Sequence, residues 1–474
     1  MYFGLWPLGF GLSFLVKLQT TNYKVQVQSS KTKDQRPKTN TMTDQTSHFD
    51  ATRPVPRIAM LLVLVLTLPA AWFAVRWYIG NTMAEYHNPE VHGIDMGRRA
   101  VAWAPNDPLA HWRLGEIAQR RLPPDQIAQV INEFEKAASL SPNDYRYWVP
   151  LGSALEQSGD VERAEKALKR ATELAPSYAF PRWNLGNLYL RNGRYAEAFA
   201  ELRRASDADP ALRGQLLNVA WEVYKQDLDA MTAAVGTSAA ARSELAAYLA
   251  GRHKFEEALT LWRGLNETEQ RTYRNAGRAI TNQFIGAARF HQAVEIANTL
   301  VPGPIYNANI GRFIDAGFED NIVSQEASVF AWQVKSQPQA HVSIDGTRGH
   351  GSQRSLRIIF QVRSKLDALN IAQLLPVKPG TQYDLEFYVK TDNLQSGATP
   401  YVEIVDGPTG SVITGSSGAP NADSDWQRVS INFKVGPHTE AVVVRIARGS
   451  CGDQPTCPIF GTVWYDDFNL KPRS

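Results

Sequence analysis

The chain has 474 residues, a formal net charge of +3, 43% hydrophobic residues and 20% charged residues. That length exceeds what a single compact core usually organises, so two or three domains are expected, and the apolar-to-charged balance excludes wholesale disorder. The nearly balanced charge, with no basic run interleaved with aromatics, gives no sign of a nucleic-acid reader.

Residues 1–57 read as a mostly disordered tail. Residues 1–16 are apolar and Gly-rich but too short to span a bilayer comfortably, and residues 17–57 are polar with few aliphatics. Met42 offers a cleaner start, with a short polar tail and two arginines before an apolar run, so both Met1 and Met42 stand as candidate starts. If residues 1–16 formed a second span, both termini would face the cytoplasm.

Residues 58–79 read IAMLLVLVLTLPAAWFAVRWYI. The first 18 of them carry no charge, and a helix of that length spans about 27 Å at ~1.5 Å per residue. Trp72, Trp77 and Tyr78 suit an interfacial belt, Arg76 can snorkel beside them, and Pro69 is tolerable as a kink. A cleaved signal peptide is the competing reading; the length of the run and the bulk of Trp72 and Phe73 favour an uncleaved signal anchor. Arg53 and Arg57 precede the run, with Lys31, Lys33, Arg36 and Lys38 behind them, whereas after Arg76 nothing basic comes until Arg98. The positive-inside rule therefore predicts a single-pass cell-membrane protein. Its N-terminus is expected in the cytoplasm, and everything after residue 80 in a bacterial periplasm or on the cell surface.

Residues 80–302 are dominated by internal repetition. In residues 145–178 stand Trp148, Leu151, Gly152, Leu155, Ala164, Leu168, Ala171 and Pro176. The next 34 residues repeat the pattern with Leu185, Gly186, Tyr189, Ala198, Leu202, Ala205 and Pro210. An earlier unit carries Leu114, Gly115, Phe134, Ala137 and Pro142, and Pro105 closes a half-unit before it. Glycine and alanine let two antiparallel helices approach closely, large apolar residues fill the seam, and proline ends the second helix. One hairpin cannot bury its apolar face, so the units must stack. Over 111–210 this resembles the tetratricopeptide repeat, with its W-x2-L-G-x2-Y, A-x3-F and P signature. Residues 211–302 read as worn hairpins of the same superhelix, with Phe255, Ala258, Trp262, Gly277, Ile280, Phe290, Ala293 and Ala297 at the matching places; an unrelated helical bundle is the alternative.

The tetratricopeptide resemblance implies a groove lined by the first helix of each hairpin, holding a protein segment. Carried onto this chain it is lined by Trp112, Glu116, Gln119 and Arg120, then Arg146, Val149, Ser153, Glu156 and Gln157, then Phe180, Trp183, Asn187, Leu190 and Arg191. Trp112 and Trp183 stand outside the family's packing position for tryptophan and are candidates either for ligand contact or for packing against a neighbouring helix.

After Pro302-Gly303-Pro304 the texture becomes β-branched alternation broken by Gly, Ser and Asp turns, which predicts an antiparallel β-sandwich or jelly roll over 303–474. The expected fold class is thus multidomain: one transmembrane helix, an α-solenoid, then a sandwich. Ala316-Gly317-Phe318-Glu319, Trp332, His350-Gly351-Ser352, Val377-Lys378-Pro379-Gly380, Asp425-Trp426 and Trp464-Tyr465-Asp466-Asp467-Phe468 resemble the landmarks of carbohydrate-binding-module jelly rolls. The resemblance implies a structural calcium held by Glu319 with Asp466 or Asp467, against the plainer reading of carboxylates capping turns. No other cofactor is implied. Alternation puts Glu386 and Tyr388 on one strand, and Tyr401 and Glu403 on another, outward from the core, where rings and carboxylates can meet a polysaccharide or simply form solvated cross-strand pairs. Cys451 and Cys457 are the only two cysteines; a disulfide across their short loop suits an oxidising compartment, with two free thiols as the alternative.

No G-x-S-x-G elbow, H-E-x-x-H helix or Walker loop occurs. His341 and His350 make a poor metal set, and Asp466-Asp467, adjacent on one strand, are expected to point to opposite faces. With anchor, solenoid and sandwich assigned, no stretch remains for a catalytic domain. The sequence therefore reads as a non-enzymatic, membrane-anchored scaffold that binds a protein partner, plausible in polysaccharide assembly or export. A glycan-binding module on a helical stalk is the alternative, and a divergent glycan-active enzyme the weaker one.

Overall fold

The computed structural model describes residues 54–86, 93–121, 123–225, 227–301, 303–320, 328–334, 340–360, 368–452 and 457–473. The expected tail before residue 54 lies outside them. A helical array precedes a two-sheet sandwich, as the alternation and repeat pattern predict.

Helix α1 (Pro54–Glu85) carries the apolar run, with Ile58 and residues 60–78 largely exposed. It is the one described helix long and apolar enough to cross a membrane. Its last turns belong to the solenoid. Ala84 is buried, and a Cβ on Gly80 would sit 2.5 Å from that of Ala104, at the end of α2 (Ile94–Trp103). Arg76, expected to snorkel, instead donates to the carbonyls of Trp103 at 3.0 Å and Ala102 at 2.7 Å. Carbonyls at a helix C-terminus lack intrahelical partners and attract a cation, which explains the choice.

The hairpins follow in chain order. They pair α3 (Pro108–Arg121) with α4 (Ile127–Leu140), α5 (Tyr145–Gln157) with α6 (Val161–Leu174), and α7 (Ala179–Arg191) with α8 (Tyr195–Ala208). The repeat glycines sit where the sequence logic requires closeness: a Cβ on Gly115 would meet the Phe134 ring at 2.6 Å, and one on Gly152 would meet Leu168 at 2.6 Å. The worn region is also built of hairpins: α9 (Arg213–Tyr224) with α10 (Leu228–Val235), and α11 (Ala239–Gly251) with α12 (Phe255–Arg263). After the short α13 (Glu267–Thr272), α14 (Arg274–Gly286) pairs with α15 (Phe290–Leu300). Gly277 repeats the close approach, against Trp262 and Leu300.

The sandwich strands are β1 (Gln333–Val334), β2 (Ala340–Asp345), β3 (Ser355–Phe360), β4 (Ala368–Pro376), β5 (Gln382–Ser396), β6 (Pro400–Asp406), β7 (Val412–Gly415), β8 (Ala422–Lys434), β9 (Ala441–Arg448) and β10 (Ile459–Pro472). Sheet one runs β1-β4-β9-β6-β7 and sheet two β2-β3-β10-β5-β8, with every pairing antiparallel. Leu356, Ile358, Leu385, Phe387, Val402, Ile404, Val444, Ile446 and Tyr465 meet in the core between the sheets. Cys451 and Cys457 are joined as a disulfide after β9.

Solenoid and sandwich share buried contacts. Ala308, Ile314, Phe330 and Ala331 complete the core of α14–α15, with Leu374 of β4 packed on it. Glu440 accepts from the backbone N–H of His291 at 3.0 Å, and His291 Nε2 donates to the Val377 carbonyl at 2.9 Å. Asn298 bonds both backbone groups of Ala308, at 2.8 and 3.0 Å. Buried Gln373 ties Ile314 and Phe330 to sheet one.

Candidate functional site

The first helices of successive hairpins touch, α5 with α7 and α11 with α14. Among the expected groove residues, Arg191 makes a two-point ion pair with Glu156 at 2.5 and 2.6 Å, linking two hairpins. Gln119 reaches Gln157 at 3.2 Å in the same way. Trp112 meets Tyr147 edge-on, ring centroids 6.3 Å apart, with the Arg113 guanidinium 4.4 Å above its own ring. Glu116 pairs with Arg113 at 2.8 Å, leaving Arg120 exposed. Trp112 and Trp183 are half-buried, each packed on the solenoid core. Asn187 is half-buried and Phe180 exposed. Arg146 turns back onto Asp144, the N-cap of its own helix, at 2.5 to 3.0 Å, so its charge is spent at the cap and not on a neighbouring hairpin.

The worn hairpins add residues that the repeat signature did not flag. Asn218 of α9 accepts from the Tyr248 hydroxyl of α11 at 2.9 Å and from Arg252 at 3.4 Å. The Arg252 guanidinium lies 5.3 Å from the Trp221 ring and 5.1 Å from that of Tyr248. Beside them opens a cavity of ≈ 510 Å³ lined by Leu217, Glu244, Tyr248, Tyr273 and Asn275, among others.

In the sandwich, the four outward residues do not form one site. Glu386 and Tyr388 lie on sheet two, Tyr401 and Glu403 on sheet one, so the sandwich core separates the pairs. Alternation within a strand carries no information on which sheet that strand joins. Glu403 is 7% exposed, held by Arg445 at 2.7 Å and by the Tyr401 hydroxyl at 3.4 Å. Glu386 is paired with Arg428. Tyr388 is covered by His350, the rings 3.5 Å apart and 15° from parallel, and Trp426 stands at 72° to His350 with centroids 5.9 Å apart. Next to them a cavity of ≈ 690 Å³ is lined by residues including Arg348, Lys390, Asp392, Asp423, Asp425 and Trp426. His350, Asp425 and Trp426 were legible only as fold landmarks.

Asp466 and Asp467 depart from the expected opposite faces. A register shift between Asp466 and Asn469 breaks the alternation of β10, and Asp467 takes a positive φ of 51°. Both carboxylates consequently reach the same place as Glu319: a Cβ on Gly317 would lie 3.4 to 3.6 Å from an oxygen of each. Asp466 accepts from the backbone N–H groups of His350 and Asp467, at 2.7 and 2.8 Å, and Asp467 bonds His350 Nδ1 at 2.7 Å. Burial, with Asp467 and Glu319 beside it, pushes Asp466 up to about 6. Oxygen donors suit a hard dication. Even so, no group of three or more His, Cys, Asp or Glu among the described residues is disposed to hold a metal ion. The calcium on Glu319 with Asp466 or Asp467 stands as an expectation of the resemblance, and Asp466 and Asp467 engage oxygens in the hydrogen bonds just given.

Comparison with known proteins follows the same division. Residues 126–179 and 149–212 match the tetratricopeptide repeat model, and residues 313–456 match a carbohydrate binding domain. Each match covers less than half of the chain. The peroxisomal targeting signal receptor of Candida glabrata is 36% identical over 81 residues, 17% of this chain and 14% of the receptor. The Saccharomyces cerevisiae receptor is 36% identical over 74 residues, 16% of this chain and 12% of its own length. The chain thus spans well under a fifth of these curated relatives. Among solved structures, MamA from Desulfovibrio magneticus is 19% identical, covering 34% of this chain and 89% of its own, at a TM-score of 0.29. A structure described as "CBM4 structure and function" is 15% identical, covering 34% of this chain and all of its own, at a TM-score of 0.27.

Proposed function

We propose that this chain is a membrane-tethered, non-enzymatic scaffold whose repeats hold a protein segment and whose sandwich binds glycan. The observation that carries the reading is the pairing, in one chain, of a tetratricopeptide array with a carbohydrate binding domain. Both are non-catalytic binding families. The two relatives matched over 81 and 74 residues are named as receptors for a targeting signal, which agrees with recognition of a protein segment by the helical array. Half-buried Trp112 and Trp183, with the exposed Arg120, Arg191, Asn218 and Arg252, supply anchors and directional hydrogen bonds of the kind that dominate such interfaces. The apolar run of α1 from Ile58, with Arg53 and Arg57 before it, supports an N-terminus in the cytoplasm and the two binding domains on the other side. Polysaccharide assembly or export is the setting we infer from that arrangement.

The test is co-purification from cells after in vivo crosslinking. Wild-type protein should retain a discrete partner that is depleted at least about tenfold by Trp183→Ala with Arg191→Ala, or by Tyr248→Ala with Arg252→Ala. A glycan-binding chain that crosslinks to no protein would instead make the solenoid a stalk.

A further inference from the structure

We infer that the corner of sheet two where β5 and β8 meet the turn between β2 and β3 is a binding site for neutral, hydroxyl-rich sugar units of a polysaccharide. The inference rests on the reading of the sandwich as glycan-binding and adds where, and to what, it binds.

Space, surface and charge agree there. The cavity of ≈ 690 Å³ is of the size that small-molecule sites occupy. Trp426 is half-buried and His350 exposed, so the site offers flat ring surface to solvent. Aromatic faces carry the negative lobe of a quadrupole, and the slightly positive C–H faces of a pyranose pack against it. His350 is fixed before any ligand arrives: its ring lies on Tyr388, its N–H is bonded to Asp466 and its Nδ1 to Asp467. Pre-ordering of this kind lowers the entropy lost on binding.

The rim supplies hydroxyl partners. Lys390 pairs with Asp425 at 2.7 Å, and Arg348 with Asp392 at 3.3 Å while lying 5.1 Å from the Trp464 ring. Each ionised carboxylate retains lone pairs for hydroxyl donors, and the two cations retain N–H groups for hydroxyl acceptors. Asp392, Asp423 and Asp425 outnumber Arg348 and Lys390 among the lining residues. The site therefore repels uronates and sulfated sugars and leaves neutral ones favoured. Among the described residues sheet one offers no equivalent: its β4 packs on the solenoid, and its Tyr401–Glu403–Arg445 set is closed on itself with Glu403 buried.

Calorimetric titration of the full chain in detergent decides it. The probes are gluco-, xylo- and manno-oligosaccharides as the neutral set and oligogalacturonate as the acidic one. Neutral oligosaccharides should bind. Trp426→Ala and, separately, His350→Ala should each weaken them about tenfold or more, whereas Tyr401→Ala should leave affinity unchanged. Thermal melts of each variant separate loss of the site from loss of the fold, and Lys390→Met, which keeps the stem and removes the charge, serves if a ring variant melts. Affinity lost in Tyr401→Ala but kept in Trp426→Ala overturns this site and leaves the glycan reading standing. Binding of oligogalacturonate alone overturns the neutral class. No binding by any probe to the wild-type chain overturns both site and reading.

Discussion

Gly186 has Leu202 so close that a Cβ would lie 2.8 Å from its Cγ and 3.1 Å from the Ala198 carbonyl. One added methyl must push two helices apart, so Gly186→Ala should cost about 1–3 kcal/mol in chemical denaturation although alanine favours helix. An unchanged midpoint would show the seam to be looser than drawn. Glu165 is tuned in the opposite sense. Burial raises its pKa, but hydrogen bonds from Arg194, Lys169 and Tyr189 outweigh that and bring it to about 2. Its folded-state value is below the unfolded one, so the stabilisation is complete above about pH 4.5 and is lost as pH falls toward about 2. Glu165→Gln should flatten this acid limb in pH-dependent thermal melts and lower stability at neutral pH. Residues such as Gly186 were legible because close approach of helices admits few residue types. The His350 corner was not, because it joins three distant stretches, 348–350, 388–392 and 423–426, through strand register. Bulges near Val389 and after Asp466 shift that register in ways alternation cannot foresee.

The decay of the repeat signature after Pro210 hid how regular the elements remain. Hairpins α9–α10, α11–α12 and α14–α15 keep the buried alanines and large apolar residues of the earlier units, including Ala246, Ala258, Ile280 and Ala293. What disappears is the W-L-G-Y-P spelling, because Trp262 and Phe284 fill the seams by other routes. The sequence boundary at 302 also falls inside a shared core: Phe284 and Ile296 lie in one cluster with Ile314 and Phe330. A fragment of residues 303–474 would bare Ile314, Phe330 and Leu374, whereas one of residues 239–474 keeps them covered. The shorter should melt about 5–10 °C lower, or aggregate, by differential scanning calorimetry of both. Equal midpoints would mean that the sandwich is indifferent to the hairpin beside it.

At the scale of the molecule, the order helix, repeats, sandwich was plain in the sequence because each part has its own periodicity: an unbroken apolar run, a 34-residue spacing of prolines, and alternation by twos. How the parts join was not, since the joints are made by single contacts such as His291 with Glu440 and Val377, or Arg76 with the end of α2. The last of these bears on proteolytic processing. A cut ahead of Arg76 would release the repeats with their first hairpin whole. A cut after Glu85 would remove Gly80, Ala84 and the guanidinium that closes α2, leaving Ala100 and Ala104 without cover. Any soluble form that cells shed, or that a laboratory expresses, keeps its leading repeat only if it carries those ten residues of the apolar helix with it.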